Sequence, residues 1–301
     1  MDEELLGRWL LFCSVVIVLF FILGVLCTVY IIYKDNCNNS SNNIKIDKDY
    51  VNLMKKENKE HINYIYSNES WINYGKTRLT EIEHIYYNEP LLEHKLNLVF
   101  VDFRNEPHFE YIIKNALIKL KGQCMVTFVC GPENYNYIKK LCNNISENIY
   151  IINENRIINS PKDYNKMCYD INFWKKLKGE KILIHQFDAF ILNSNINKFI
   201  NYDYIGGYWY ETKNNTHVGN GGLSIRTKKV IINILENFKL NKKLPEDIFF
   251  GNILKNNENL GFLADDDTAK SFSIEGSFSL NKFGCHKFWK DGVYFNDNII
   301  V

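Results

Sequence analysis

Asp188 closes an apolar run in the order Gln186-Phe187-Asp188, and a carboxylate in that position can hold a divalent cation and, through it, a diphosphate. Mg²⁺ and Mn²⁺ take oxygen ligands and usually bind one or two carboxylates together with substrate phosphates. An Asp that only caps the following turn has the same local signature. Gly219-Asn220-Gly221-Gly222 places three glycines in four positions, so that backbone N–H groups can approach a sugar or a phosphate without Cβ interference. A tight hairpin uses glycines in the same way, and the pattern is neither a P-loop nor a dinucleotide fingerprint. Pro245-Glu246-Asp247 runs into Ile248-Phe249-Phe250, which puts both acids in the first turn of a helix. There they complement the helix dipole, and either could take a proton as a general base. Asp247 is the better candidate base, because the dipole already accounts for Glu246 at the helix mouth. His286, late in the chain, can fold back over the site as a ligand that suits Mn²⁺ better than Mg²⁺, or it can be a packed residue among aromatics. The run Asp265-Asp266-Asp267 reads as a solvated loop, with metal binding as the lesser reading.

The elements that must position these residues alternate between strand and helix. Apolar runs at 96–103, 125–129, 149–152 and 181–187 have strand character, and helical spacing follows at 109–120, 133–142, 161–178 and 230–238. Pro161 suits the first turn of its helix. Strands this apolar, separated by helices, predict an α/β fold: a mostly parallel sheet with helices on both faces. Ligands of such sheets bind outside the carboxyl ends of the strands. Asp102 and Arg104 end the first of these strands and Asp188 the fourth, so all three are expected at one crevice.

Residues 9–33 contain no charged side chain and are long enough to cross a bilayer, which predicts one transmembrane helix after a short tail at 1–8. Arg8 before it and sequons at Asn38, Asn39, Asn68, Asn144 and Asn214 after it favour a single-pass membrane protein with a luminal or external C-terminal part. Residues 34–95 turn polar and read as a stem partly packed on the domain, leaving 96–301 as one domain. A net charge of +1 offers no field to steer nucleic acid. Of the eight cysteines none forms a C-x-x-C pair, which argues against a structural zinc site.

From Leu96 to Trp289 the chain resembles the glycosyltransferase-like family catalogued as domain of unknown function 5672, found in large DNA viruses and microbes. The segments that carry the likeness are Gln186-Phe187-Asp188, the run 218–226 around Gly221-Gly222, Pro245-Glu246-Asp247-Ile248-Phe249-Phe250, Phe272-Ser273-Ile274-Glu275 and Phe283-Gly284-Cys285-His286-Lys287-Phe288-Trp289. That family is similar, more distantly, to GT-A glycosyltransferases with a Rossmann-like sheet. The resemblance implies a membrane-anchored enzyme that moves a sugar from a nucleotide-diphosphate sugar to a glycan or protein hydroxyl, with Mn²⁺ or Mg²⁺ as cofactor. It implies Asp188 and His286 as metal ligands and Asp247 or Glu246 as base. Asp102, Arg104, Gln186, Asp188, Gly221 and Gly222 are then the residues expected around the donor and its cation. Gln186 stands where such enzymes carry a first Asp, and a neutral amide is a weaker ligand. That departure keeps open a second reading, a non-catalytic carbohydrate-binding or structural membrane glycoprotein with the same fold.

Overall fold

The computed structural model describes residues 63–65, 68–83, 85–86, 95–213, 216–273, 275, 281–287 and 293–295, all within the compact unit Glu60–Val301. The first half comprises β1 (Asn63–Ile65), α1 (Asn68–Ile82), β2 (Leu96–Val101), α2 (Phe109–Lys119), β3 (Met125–Cys130), α3 (Tyr135–Ile145) and β4 (Tyr150–Asn153). It continues with α4 (Pro161–Cys168), α5 (Ile171–Lys176), β5 (Lys181–His185), β6 (Ala189–Ile191), β7 (Tyr204–Lys213) and β8 (Thr216–Thr227). Then follow α6 (Lys228–Asn237), α7 (Glu246–Asn256), α8 (Asp266–Phe272), β9 (Gly284–His286) and β10 (Val293–Phe295).

The central sheet has six strands in the order β4-β3-β2-β5-β8-β7, parallel from β4 to β5 and antiparallel at β8 and β7. All six residues of β2 are buried, as a strand covered on both faces requires. Its side chains alternate: Leu96, Leu98 and Phe100 enter one core with Trp71, Tyr111 and Ile138, whereas Val99 and Val101 enter a second core with Trp174, Ile231 and Phe250. Helices thus cover both faces, as the apolar runs predict. Asn97, the polar exception within β2, donates to the Lys178 carbonyl at 3.0 Å.

Three features depart from the sequence reading. The single helix expected over 161–178 is two, because Asp170 accepts from the Asn172 amide and starts a new helix. Strand β7 has no counterpart in that reading, since its Gly206-Gly207 and polar tip break the apolar pattern. The glycines at 219–222 are part of strand β8, not a loop; they lie beside Gly206 and Gly207, and a Cβ on Gly206 would come 2.4 Å from the Asn220 carbonyl oxygen.

The membrane-spanning helix expected at residues 9–33 lies outside the described residues. Among the described residues no helix is long and apolar enough to cross a membrane, which corrects the expected localisation as a single-pass membrane protein with a luminal or external domain. The longest of these helices, α1, has 15 residues where about 20 are needed, and it buries Trp71 in the protein core. Cys124, Cys130, Cys142, Cys168 and Cys285 are free and buried.

Candidate active site

The carboxyl end of β2 presents Asp102 and Arg104. Arg104 grips the Asp102 carboxylate through Nε at 2.9 Å and Nη2 at 2.6 Å, and its backbone N–H donates to the same group at 3.0 Å. Asn134 fixes this turn from α3: its amide nitrogen donates to the carbonyls of Asp102 and Arg104, and its oxygen accepts from Gly131 N–H. The Asp102 carboxylate is therefore committed to its neighbour. The guanidinium lies 3.8 Å over the ring of Phe187, its Nη1 is 3.8 Å from Glu106 Oε1, and the side chain is about half exposed.

The carboxyl end of β5 leads into Gln186, Phe187 and Asp188. Gln186 N–H donates to the Gly222 carbonyl at 2.9 Å, and Ala189 N–H closes a turn onto the Gln186 carbonyl at 3.1 Å. Strand β6 starts at Ala189 and pairs antiparallel with β9, in a register that sets Ala189 opposite His286. That short pairing brings His286 to the site: its Nε2 lies 3.1 Å from Oδ1 of Asp188, both side chains being buried. Burial alone would raise the Asp188 carboxyl, but the attraction of His286, its hydrogen bond and nearby Lys287 outweigh this and hold it below the ordinary value.

Two adjacent ligands of an octahedral ion with bonds of about 2.1 Å lie about 3 Å apart. The Asp188–His286 separation fits the edge of such a shell. Among the described residues no group of three or more His, Cys, Asp or Glu side chains could hold a metal. A cation held here would draw its remaining ligands from substrate and water.

Gly221 and Gly222 have their reason in packing. A Cβ on Gly221 would meet Glu246 Oε1 at 2.5 Å, and one on Gly222 would meet His286 Nε2 at 2.1 Å. Successive strand residues face opposite ways, so the acidic pair and His286 approach β8 from its two sides. The backbone amides of these glycines are also engaged, Gly221 with the Asp247 carboxylate at 3.1 Å and Gly222 with Asn220 Oδ1 at 2.9 Å.

The two acids that open α7 have separate fates. Glu246 forms a two-pronged ion pair with Arg226 at 2.5 and 2.9 Å, the arginine side chain being wholly buried among Trp174, Tyr204 and Phe250. Among the described residues Asp247 makes no ion pair; it accepts from Gly221 and Ile248 N–H. Desolvation and the charge of Glu246 push its carboxyl up to about 6, a value suited to a base near neutral pH. Asp265 accepts from the Thr268 N–H and caps α8, and Asp267 pairs with Lys270 at 3.3 Å, so two of the three acids have structural partners.

A crevice of about 480 Å³ opens outside the strand ends, and Asp102, Arg104, Gln186 and Asp188 line it. Gly221, Gly222, Glu246, Asp247 and His286 are not among the described residues that line it. Sequence reasoning missed Ser160 and Tyr164 on its α4 wall and, above all, Lys287. Lys287 has φ +47°, a conformation uncommon for a residue with a side chain, and its N–H donates to the Asp188 carbonyl at 3.0 Å. A lysine directly after the candidate metal-ligating His was the available signal.

Fold and site together define a mixed α/β protein with a mostly parallel sheet and a charged crevice at its strand ends. Residues 148–286, which end at the candidate ligand His286, match the family described as a protein of unknown function (DUF5672), and the match carries no link to viruses. No curated protein matches the sequence. Among solved structures, the chain is similar to the 4-diphosphocytidyl-2C-methyl-D-erythritol synthase of Anaerococcus prevotii (11% identity, TM-score 0.38, 56% of this chain and 86% of that one). It is also similar to the mannosyltransferase PcManGT of Pyrobaculum calidifontis, in complex with GDP-Man and Mn²⁺ (8%, TM-score 0.39, 62% and 60%). A third likeness is to TarS of S. aureus (15%, TM-score 0.35, 52% and 53%). The chain thus spans 60% and 53% of the last two.

Proposed function

We propose that this protein is a glycosyltransferase that takes a sugar from a nucleotide-diphosphate donor and passes it to a hydroxyl of a glycan or protein. The observation that carries the reading is the Asp188–His286 contact beside a crevice whose walls carry Arg104 and Lys287. An acidic and imidazole pair suits a divalent cation, and two basic side chains suit the diphosphate that the cation would neutralise. Asp188 and His286 are the residues that would hold Mn²⁺ or Mg²⁺. When bound, such an ion stabilises negative charge on the departing diphosphate.

The chain's own residues do the rest. Arg104, held in place by Asp102 and the Phe187 ring with Glu106 3.8 Å from its Nη1, faces donor oxygens from the crevice lining, and Lys287, 3.9 Å from Glu275, supplies a second positive charge there. The acceptor oxygen bonds to the anomeric carbon while the bond from that carbon to the diphosphate oxygen breaks, and the acceptor proton passes to a carboxylate, the role for which Asp247 is the candidate. Glu246 does not compete for that role, because its charge is spent on Arg226. One displacement of this kind inverts the anomeric centre.

Donor hydrolysis by the purified chain, screened over UDP- and GDP-sugars with and without Mn²⁺, tests the reading. Metal-stimulated release of nucleotide supports it. A second reading, a carbohydrate-binding protein without turnover, draws on Gln186 in place of an acid and on the internal pairing of Asp102. Calorimetry separates the two, since metal-dependent nucleotide binding argues against the second.

A further inference from the structure

The carbonyl oxygen of Phe187 accepts hydrogen bonds from two side chains distant in sequence, Trp71 Nε1–H at 3.0 Å and His108 Nε2 at 3.2 Å. A carbonyl can only accept, so His108 carries its proton on Nε2. Trp71 is wholly buried in α1. Its ring stacks on Tyr74 at 5.9 Å and meets His108, Tyr111 and Phe190 edge-on at 6.0, 6.1 and 5.5 Å. Gly75, one turn on, lets α1 press close to α2, since a Cβ there would come 2.8 Å from that of His108.

A peptide group is planar, so holding the Phe187 carbonyl also fixes the N–H and Cα of Asp188 across the same plane. The far side of Asp188 is held by Lys287 N–H, which donates to its carbonyl at 3.0 Å. Both peptides flanking Asp188 are thus held, and from this fixed Cα the carboxylate lies 3.1 Å from His286 Nε2.

We infer that Trp71 is a positioning residue of the site: together with His108 it clamps the Phe187 carbonyl and so aims the Asp188 carboxylate. Helix α1, which composition assigns to a polar stem, is on this account part of the catalytic unit. The functional consequence rests on the proposed sugar transfer, whereas the geometric one does not.

Trp71→Phe in the full chain keeps an aromatic ring and removes the donor. In a crystal structure of that variant the Asp188–His286 separation should open beyond about 3.5 Å, the limit of a hydrogen bond. Its kcat should fall about 10- to 100-fold, as misplacement by about 1 Å does, with donor KM within about twofold. Tyr74→Phe, which trims the same aromatic cluster, should change neither. His108→Phe removes the other donor and carries the test if Trp71→Phe does not fold, with a smaller opening and a smaller loss. An unchanged Asp188–His286 contact in these variants overturns the inference, whatever happens to kcat. If the unaltered chain turns over no nucleotide sugar, the transfer reading fails, while the crystal structure still decides the clamp.

Discussion

The imidazole of His286 lies 3.1 Å from the carboxylate of Asp188 across 98 residues of sequence, and the β6–β9 pairing is what makes them neighbours. The carboxylate is held ionised by that neighbour in spite of its burial. Asp188→Asn keeps the shape and removes the charge. Turnover of a nucleotide sugar should drop by about 10² or more, as when a group that stabilises developing charge is lost. Steady-state assay of the purified variant checks it, with circular dichroism to show the fold is kept.

The acidic pair at the start of α7 should divide by role. Asp247→Asn should lower turnover by roughly 10² to 10⁴ with donor KM nearly unchanged, the mark of a lost base. Glu246→Gln should instead cost about 3–5 kcal/mol of stability, because Arg226 would remain buried without its counter-charge. Kinetics on one variant and urea unfolding on the other separate the two. Full turnover in Asp247→Asn would place the base elsewhere.

A base that titrates near 6 sets a pH profile. Turnover should rise with pH through about 6 as Asp247 ionises, and the limb should vanish in Asp247→Asn. Stability moves the other way. The folded carboxyl binds its proton more tightly than the unfolded one, near 3.9, so this group's contribution is full below about pH 4 and is lost as pH rises through about 6. Urea midpoints measured from pH 4 to 7 should decline more steeply for the unaltered chain than for Asp247→Asn.

Gly222→Ala would place a methyl group 2.1 Å from His286 Nε2. The ring must move, at a cost of about 1–3 kcal/mol for overpacking, and the contact with Asp188 is lost with it. Both a lower melting temperature and a loss of turnover comparable to that of Asp188→Asn are expected. Normal activity in this variant would mean that His286 can leave Asp188 without consequence.

Lys287 holds a left-handed backbone conformation that glycine adopts more readily. Lys287→Gly should leave stability unchanged or raise it by up to about 1 kcal/mol, while weakening donor binding through the lost charge. Calorimetry with a nucleotide-sugar donor, paired with thermal unfolding, reads both. Unaltered donor affinity would remove Lys287 from the diphosphate site.

Local pattern was enough to place the parallel strands β2, β3 and β5, the helix that begins at Glu246, and the arrival of Asp102, Arg104 and Asp188 at one set of strand ends. A buried strand must be a continuous apolar run and an acid belongs in a helix's first turn, so short windows of sequence carry these features. The hairpin of β7 and β8 was hidden, because Gly206-Gly207 and Gly219–Gly222 look like loop residues until they are seen side by side. The partners of charged groups were hidden as well. Nothing near Glu246 in the sequence says that Arg226 will neutralise it, or that burial and the charge of Glu246 will push Asp247 beside it up to about 6. Likewise Trp71 reads as a stem aromatic until its indole N–H is found on the Phe187 carbonyl, 116 residues away. Which acid is spent on an ion pair, and which backbone is held rigid, depends on the register of strands and the docking of helices. Those are set by contacts between distant segments, which the sequence of either segment by itself does not specify.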